Sequence, residues 1–141
     1  MPKPPPVPQI SDAEWEVMKV VWDHGPLTAG DVVRRLGDVP PGHPARGWRP
    51  RTVKTLLARL VRKKAVAATE EAGAGESRRF LYRAAVAREQ CVRQETRSFL
   101  DRVFGGAAGP MLAHFVSEAP LTDDEIRRLR DLLDRRGGKG S

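Results

Sequence analysis

Residues 47–64 read GWRPRTVKTLLARLVRKK, and seven of these eighteen side chains are Arg or Lys while none is acidic. An apolar set recurs with the i, i+3, i+4, i+7, i+8 spacing of one helix face: Val53, Leu56, Leu57, Leu60 and Val61. Such a period predicts an amphipathic helix whose apolar stripe packs on a core. Pro50 suits the first helical position, where its missing N–H costs nothing. The stretch therefore predicts a helix over about residues 50–63 with a basic outer face.

The side chains between the apolar positions form a mixture that suits DNA. Arg and Lys can bind guanine edges or phosphates, Thr can hydrogen-bond and touch a thymine methyl, and Ala allows close approach. Residues near the start of a recognition helix usually meet the bases. We predict base contacts by Arg51, Thr52, Lys54 and Thr55, and phosphate or solvent contacts by Arg59, Arg62, Lys63 and Lys64. The alternative is a basic face that is merely solvated.

The remaining elements are predicted by local signals on either side of this helix. Capping-box patterns occur at Ser11–Glu14, Thr28–Asp31 and Thr122–Glu125. We predict helices over about residues 12–23, 29–36, 50–63, 86–104, 111–118 and 123–136. AVAAT (65–69) and RFLYR (79–83) are typical of two short strands around a Gly-bearing turn.

Three helices followed by a β-ribbon is the order of a winged helix-turn-helix. In that fold the third helix enters the major groove and the ribbon touches the backbone beside it. We therefore predict a mainly α protein with a small β-wing: a disordered lead-in (1–9), a winged-helix DNA-binding domain (10–83), a three-helix dimerisation domain (84–136) and a disordered tail (137–141). Arg78 and Arg79 are predicted phosphate contacts on the wing, weakened by Glu70, Glu71 and Glu76.

The last three predicted helices carry more apolar surface than about fifty residues can bury alone. A second copy of the chain is the simplest cover for it. The predicted dimerisation residues are Phe99, Leu100, Val103, Phe104, Met111, Leu112, Phe115, Val116, Ile126, Leu129, Leu132 and Leu133.

The charge of the chain is concentrated in its first part. The 141 residues carry a formal charge of +7 with a pI of about 10.3. Residues 1–83 hold 15 basic and 9 acidic side chains, a net of +6, whereas residues 84–141 hold 10 and 9, a net of +1. A strongly basic half predicts an acidic partner, such as double-stranded DNA.

Other classes of protein are disfavoured by what the sequence contains. The single cysteine, Cys91, excludes an intramolecular disulfide and suits a reducing compartment. No apolar run approaches the roughly 20 residues of a membrane span, so a cytoplasmic location is expected. His24, His43 and His114 lack ligand spacing, so neither a metal nor another cofactor is predicted. No nucleophile–base grouping or phosphate-cradling loop suggests an enzyme.

Four segments together resemble one family of regulators. SDAEWEVMKVVW (11–22), RPRTVKTLLARLVRKK (49–64), SFLDRVFGG (98–106) and LTDDEIRRLRDLLD (121–134) are similar to the penicillinase-repressor (BlaI/MecI-type) family, over about residues 9–135. The resemblance implies a dimeric winged-helix repressor that binds an inverted-repeat operator with a TACA/TGTA core. It also implies release from DNA when a sensor-linked, membrane-associated protease system cuts the dimerisation domain.

The resemblance assigns two sites residue by residue. The family's Ser-Pro-Lys-Thr turn corresponds to residues 49–52, which implies DNA contact by the set chosen above; Arg49 stands where the family has a capping Ser. The family's cleaved Asn-Phe bond corresponds to His114–Phe115. With His in place of Asn, this bond is either the cleavage site or an ordinary part of a dimer helix. A functional alternative to the repressor is a winged helix that docks an acidic protein through its basic face.

Overall fold

The structure, a computed structural model, describes residues 7–72 and 78–140, of which residues 139 and 140 are described by their backbone alone. Its elements are α1 (Asp12–His24), α2 (Ala29–Gly37), α3 (Pro50–Arg62), β1 (Val66–Ala72), β2 (Arg78–Ala84), α4 (Arg88–Phe104), α5 (Ala108–Glu118) and α6 (Asp123–Gly140). Three helices followed by an antiparallel hairpin confirm the predicted winged-helix order. Among the described residues, no helix combines the length and apolarity that a bilayer span requires.

The first two helices begin at the predicted capping boxes. The Ser11 hydroxyl accepts from the Glu14 N–H at 3.2 Å, and the Glu14 carboxylate accepts from the Ser11 N–H at 2.8 Å. Thr28 and Asp31 repeat the exchange at 3.1 and 3.0 Å. Each reciprocal pair satisfies two backbone donors that a helix start otherwise leaves free, and so fixes where the helix begins.

The third helix begins without a side-chain cap and ends in a hydrogen-bonded turn. Arg49 offers no side-chain hydrogen bond at the start, and Pro50 occupies the first helical position. At the end, the N–H groups of Lys64 and Ala65 donate to Val61 and Leu60, which is the Schellman arrangement, and Lys64 takes a φ of 66°. This turn closes α3 and leads directly into β1.

The core of the first half lies where the three helices meet the base of the hairpin. Four predicted α3 residues, Val53, Leu56, Leu57 and Leu60, are at most 4% exposed. They pack with buried residues of α1 and α2, including Val17, Met18, Val21, Val32 and Leu36. Burying each such side chain contributes about 1.5–3 kcal/mol to folding. The fifth predicted residue, Val61, is half-buried against the same core.

The hairpin is joined to the helices at its base. β1 and β2 pair antiparallel from Val66 opposite Ala84 to Ala72 opposite Arg78. Leu27, in the connection between α1 and α2, exchanges both backbone hydrogen bonds with Tyr82, at 3.0 and 2.8 Å. This isolated β-bridge is absent from the sequence prediction, because a single extended residue has no periodic signal.

The chain divides into two compact units, residues 1–95 and 96–141. The predicted domain boundary, between residues 83 and 84, falls twelve residues earlier. The first turns of α4 belong to the first unit because Cys91 is 2% exposed within its core. In the second unit Met111 is the one buried residue among those described.

Three boundaries differ from the predictions. Residues 7–9, predicted as disordered, make contacts: Val7 packs against the core, and the Pro8 and Gln9 carbonyls accept hydrogen bonds. Residues 1–6 and 141 lie outside the described chain. α5 begins at Ala108, upstream of the predicted start, because Pro110 falls in its first turn, where no N–H is needed. α6 continues to Gly140, through residues predicted as a disordered tail.

Candidate nucleic-acid interface

The exposed side of α3 carries seven residues that we call the α3 outer face: Arg51, Thr52, Lys54, Thr55, Ala58, Arg59 and Arg62. At 100° per residue these seven positions form one continuous arc of about 160°. Arg51, Thr55 and Arg62 lie near the middle of the arc, and Lys54 and Thr52 lie at its two edges. All six DNA contacts predicted on α3 are therefore brought together on one solvent-facing surface.

The cations of this surface are not neutralised by any side chain of the described residues. Within residues 7–72 and 78–140, the side chains of Arg51, Lys54, Arg59 and Arg62 make neither an ion pair nor a hydrogen bond. No acidic residue lies between positions 47 and 64. A row of four unpaired cations on a rigid, well-packed helix is suited to binding a polyanion.

The prediction that Lys63 faces phosphate or solvent is wrong, because its ammonium is bound within the chain. Its ammonium donates to the Glu14 carboxylate at 2.5 Å and to the Gln9 carbonyl at 2.9 Å. The turn that closes α3 thereby binds the start of α1, 49 residues away. The partner was not predictable from spacing, because nothing local links the two positions.

The carboxylate of Glu14 is 1% exposed and serves both α1 and α3. Burial raises its pKa, but the hydrogen bond from Lys63 and those with Ser11 outweigh burial, so the pKa lies below its ordinary value of 4.5. Glu14 therefore remains ionised at neutral pH, as an ion-pair partner for Lys63 requires.

The loop between α2 and α3 is held against α1 by His43. Its Nδ1 accepts from the Ala45 N–H at 3.0 Å, and its Nε2 lies 3.2 Å from a Glu16 carboxylate oxygen. Ala45 is 1% exposed, and Trp48 packs on the core just before α3 begins. The contacts of His43 were not predicted from the sequence, whereas Trp48 was expected to pack as a hydrophobic staple at the start of α3. Together they position the start of a helix that has no side-chain cap.

The two predicted wing contacts differ in their surroundings. Arg78 lies 3.4 Å from the Glu70 carboxylate and is partly neutralised by it. Arg79 is opposite Glu71 in the register but forms no ion pair among the described residues. Glu76, the third predicted acid of the wing, lies outside the described residues. Arg79 is thus the freer of the two arginines.

The predicted dimerisation residues lie largely on the surface of the second unit. Seven of them are exposed, and we call this set the apolar tail surface: Val103, Leu112, Phe115, Val116, Ile126, Leu132 and Leu133. Phe99 lies between two aromatic neighbours, with ring centroids 5.9 Å from Phe104 and 6.4 Å from Phe115. Phe99, Leu100, Phe104 and Leu129 are half-buried.

Three further features were considered from the sequence: the His114–Phe115 bond, the thiol of Cys91 and a possible metal site. His114 and Phe115 are both exposed and lie in the middle of α5, so the bond between them is part of a regular helix. Burial raises the pKa of the Cys91 thiol, which makes it less reactive. Within the described residues, no three His, Cys, Asp or Glu side chains gather where they could hold a metal ion.

Comparison with known proteins matches this chain to a family of regulators. The model of the penicillinase repressor family matches residues 10–135. The penicillinase repressor of Bacillus licheniformis is 32% identical over 128 residues, covering 91% of each chain. The methicillin resistance regulatory protein MecI of Staphylococcus aureus (strain N315) is 26% identical over 128 residues, covering 91% of this chain and 95% of MecI.

A solved structure is similar at a lower level: a MepR mutant from a multidrug-resistant S. aureus clinical isolate is 18% identical, with a TM-score of 0.45 over 92% of this chain and 78% of MepR. The family match covers residues 10–135, which include the α3 outer face, the wing and the apolar tail surface. On that match and the 32% identity to the B. licheniformis protein, the chain belongs to the penicillinase repressor family.

Proposed function

We propose that the chain is a transcriptional repressor that binds an inverted-repeat operator of the TACA/TGTA type as a homodimer. The observation that carries the proposal is the α3 outer face, where four cations with no ion-pair partner in the described part of the chain stand beside two exposed Thr hydroxyls. Cations alone would suit any polyanion. Hydroxyls and a small Ala among them suit the edges of bases in a major groove.

Each residue of the surface has a proposed role. Arg51, Thr52, Lys54 and Thr55, in the first turns of α3, contact bases in the major groove. Arg59 and Arg62, farther along, bind phosphates, and Arg79 of the wing binds the backbone beside the groove. Arg78 contributes less because Glu70 already neutralises part of its charge.

The dimer is supported by the apolar tail surface. Seven large apolar side chains at 38–60% exposure are more than a monomeric domain of this size usually leaves in water. Their burial against a second copy removes this surface from water and pairs two α3 helices for two half-sites. The wider family names, penicillinase repressor and MecI, agree with a role at DNA.

Proteolysis offers a way to reverse the repression. A cut at His114–Phe115 would separate residues 115–141, and with them six predicted dimerisation residues, from the DNA-binding unit: Phe115, Val116, Ile126, Leu129, Leu132 and Leu133. Because the bond lies inside α5, the protease must first unwind that helix. A sensor-linked protease is the proposed partner for this step.

The proposal is tested by titrating the full-length chain against labelled duplexes. A duplex with an inverted TACA/TGTA repeat is compared with a scrambled duplex of the same length and composition. We expect the inverted repeat to bind at least about 1,000-fold more tightly, with an affinity that falls steeply as salt rises. Equal binding to both duplexes would falsify the repressor and favour the alternative, a basic docking surface for an acidic protein.

Two substitutions on the α3 outer face separate base contact from phosphate contact. Thr52→Val removes a hydroxyl while keeping the shape, so it should weaken the inverted repeat by about 1 kcal/mol and leave the scrambled duplex unaffected. Arg62→Ala should weaken both duplexes alike and reduce the slope of log affinity against log salt by about 1. Fluorescence anisotropy at several salt concentrations measures both effects. If Thr52→Val lost equal affinity for the inverted repeat and for the scrambled duplex, the proposed base contact by Thr52 would be contradicted.

A further inference from the structure

The segment that leaves the wing is bound to α1 before α4 begins. The indole N–H of Trp22, near the end of α1, donates to the Val86 carbonyl at 3.0 Å, across 64 residues of sequence. The Trp22 ring is half-buried and lies against Trp15, with ring centroids 5.6 Å apart. A buried indole that uses its single donor on one carbonyl fixes the position of that carbonyl.

The first residue of α4 binds the same end of α1. The guanidinium of Arg88 lies 2.8 Å from a carboxylate oxygen of Asp23 and 5.3 Å from the centroid of the Trp22 ring. We call Trp22, Asp23 and Arg88 the α4 clasp. One residue thus makes an ion pair and a cation–π contact with two consecutive residues of α1.

Two contacts farther along extend the attachment. Cys91 is 2% exposed within the core of the first unit, and the Gln94 amide donates to the Pro8 carbonyl at 3.3 Å. The first two turns of α4 therefore belong to the DNA-binding unit, while the helix runs without a break to Phe104. α4 thus begins within the unit that carries the α3 outer face.

We propose that the α4 clasp consists of positioning residues that set which spacing of operator half-sites the dimer accepts. The inference rests on the proposed function, because it concerns two DNA-binding units joined in one dimer. The gain from binding a second half-site depends on the stiffness of the connection between the two binding units. A stiff connection gives a high effective concentration at one spacing, whereas a loose one gives a lower value over many spacings.

A purely stabilising role makes a different prediction. Arg88 and Asp23 are 47% and 52% exposed at the side chain, and exposed ion pairs contribute little to folding. If the clasp only stabilised the fold, its loss would scarcely change any binding curve. If it holds the start of α4, its loss changes binding to the paired sites while binding to one site stays the same.

The test uses Arg88→Ala in the full-length chain, with Arg93→Ala as the matched control. Arg93 lies on the same helix and pairs with Glu89 at 3.0 Å and with no other residue that the structure describes, so its removal takes the same charge without touching α1. Each protein is titrated against one half-site and against inverted repeats whose half-sites are moved apart in single base-pair steps. The spacing that the unsubstituted protein binds best serves as the reference.

We expect Arg88→Ala to bind the reference spacing about tenfold more weakly, since one ion pair and one cation–π contact are lost in each of two protomers. Its affinity for the single half-site should match that of Arg93→Ala. Its loss of affinity for repeats with displaced half-sites should be smaller, so that affinity varies less with half-site spacing than it does for the unsubstituted protein. Trp22→Phe keeps an aromatic ring but removes the indole N–H that donates to Val86, and we expect a smaller change in the same direction.

Two results distinguish failure of the inference from failure of the proposed function. If the unsubstituted protein shows no preferred spacing, the dimeric repressor itself is wrong, and the inference fails with it. If it shows a preferred spacing and both variants keep the same profile, or lose equal affinity on every duplex including the single half-site, the clasp does not position the dimer.

Discussion

Replacing Phe115 with Asp is expected to convert the proposed dimer into a monomer and to lower affinity for the proposed inverted-repeat operator by at least about 100-fold. Phe115 is the exposed aromatic of the apolar tail surface, 47% accessible in the chain and in contact range of Phe99. Aromatic residues at the centre of an interface often carry most of its binding energy. A carboxylate in their place would be buried without a partner. Analytical ultracentrifugation and operator titration measure the two effects.

Two controls separate the interface from the fold. Phe115→Leu keeps the surface apolar, and Ser117→Asp adds the same charge to an exposed position of α5; both should remain dimeric. Binding of Phe115→Asp to a single half-site should equal that of the unsubstituted protein, because the α3 outer face is untouched. A Phe115→Asp protein that sediments as a dimer and binds the operator normally would show that this surface is not the interface.

The second large effect is expected from Lys63→Met, which should lower the free energy of unfolding by about 2 kcal/mol. The substitution leaves the carboxylate of Glu14, 1% exposed, with no cation beside it. A fully buried pair would lose about 3–5 kcal/mol when broken. Lys63 is 37% exposed at its side chain, so water replaces part of the interaction. Urea unfolding monitored by circular dichroism measures the change.

Lys64→Met is the matched control for this loss. Lys64 lies in the turn between α3 and β1, is exposed, and forms no side-chain ion pair within the described residues. Its replacement removes the same charge and should change the free energy of unfolding by less than about 0.5 kcal/mol. Equal losses in the two variants would mean that the Glu14–Lys63 contact does not stabilise the protein.

The same pair predicts how stability depends on pH. The folded-state pKa of Glu14 lies below its ordinary value of 4.5, so the stability it contributes is present above pH 4.5 and is lost as the pH falls through the lower, folded value. Glu14→Gln keeps the capping box but has no carboxylate to protonate. Its free energy of unfolding should therefore fall less than that of the unsubstituted protein between about pH 5 and pH 3.

Local chemistry made much of this fold predictable. The capping boxes at Ser11 and Thr28 involve residues three positions apart, so they could be recognised in the sequence and mark where α1 and α2 begin. The apolar stripe of α3 was predictable because the residues of one helix face recur with a fixed spacing that is visible in the sequence. The α3 outer face followed from the same period, as the positions left outside the stripe.

The contacts that hold the candidate site in place were not predictable, because each joins distant parts of the chain. Lys63 binds Glu14 across 49 residues, and Trp22 binds the Val86 carbonyl across 64. In the sequence Lys63 is the middle residue of a basic run of three, Arg62-Lys63-Lys64, and only the turn after α3 directs it away from the others. Tertiary packing decides which cation of such a run is engaged and which stay exposed to solvent.

The pair of hydrogen bonds between Leu27 and Tyr82 has a consequence for the entropy of DNA binding. It joins the base of the hairpin to the connection before α2, so β2 cannot swing independently of the helices. Association with a partner is weakened when separate contact elements must be aligned at the moment of binding. In the proposed complex the wing and α3 are aligned when the protein folds, so the duplex would meet two contact elements whose separation has already been set.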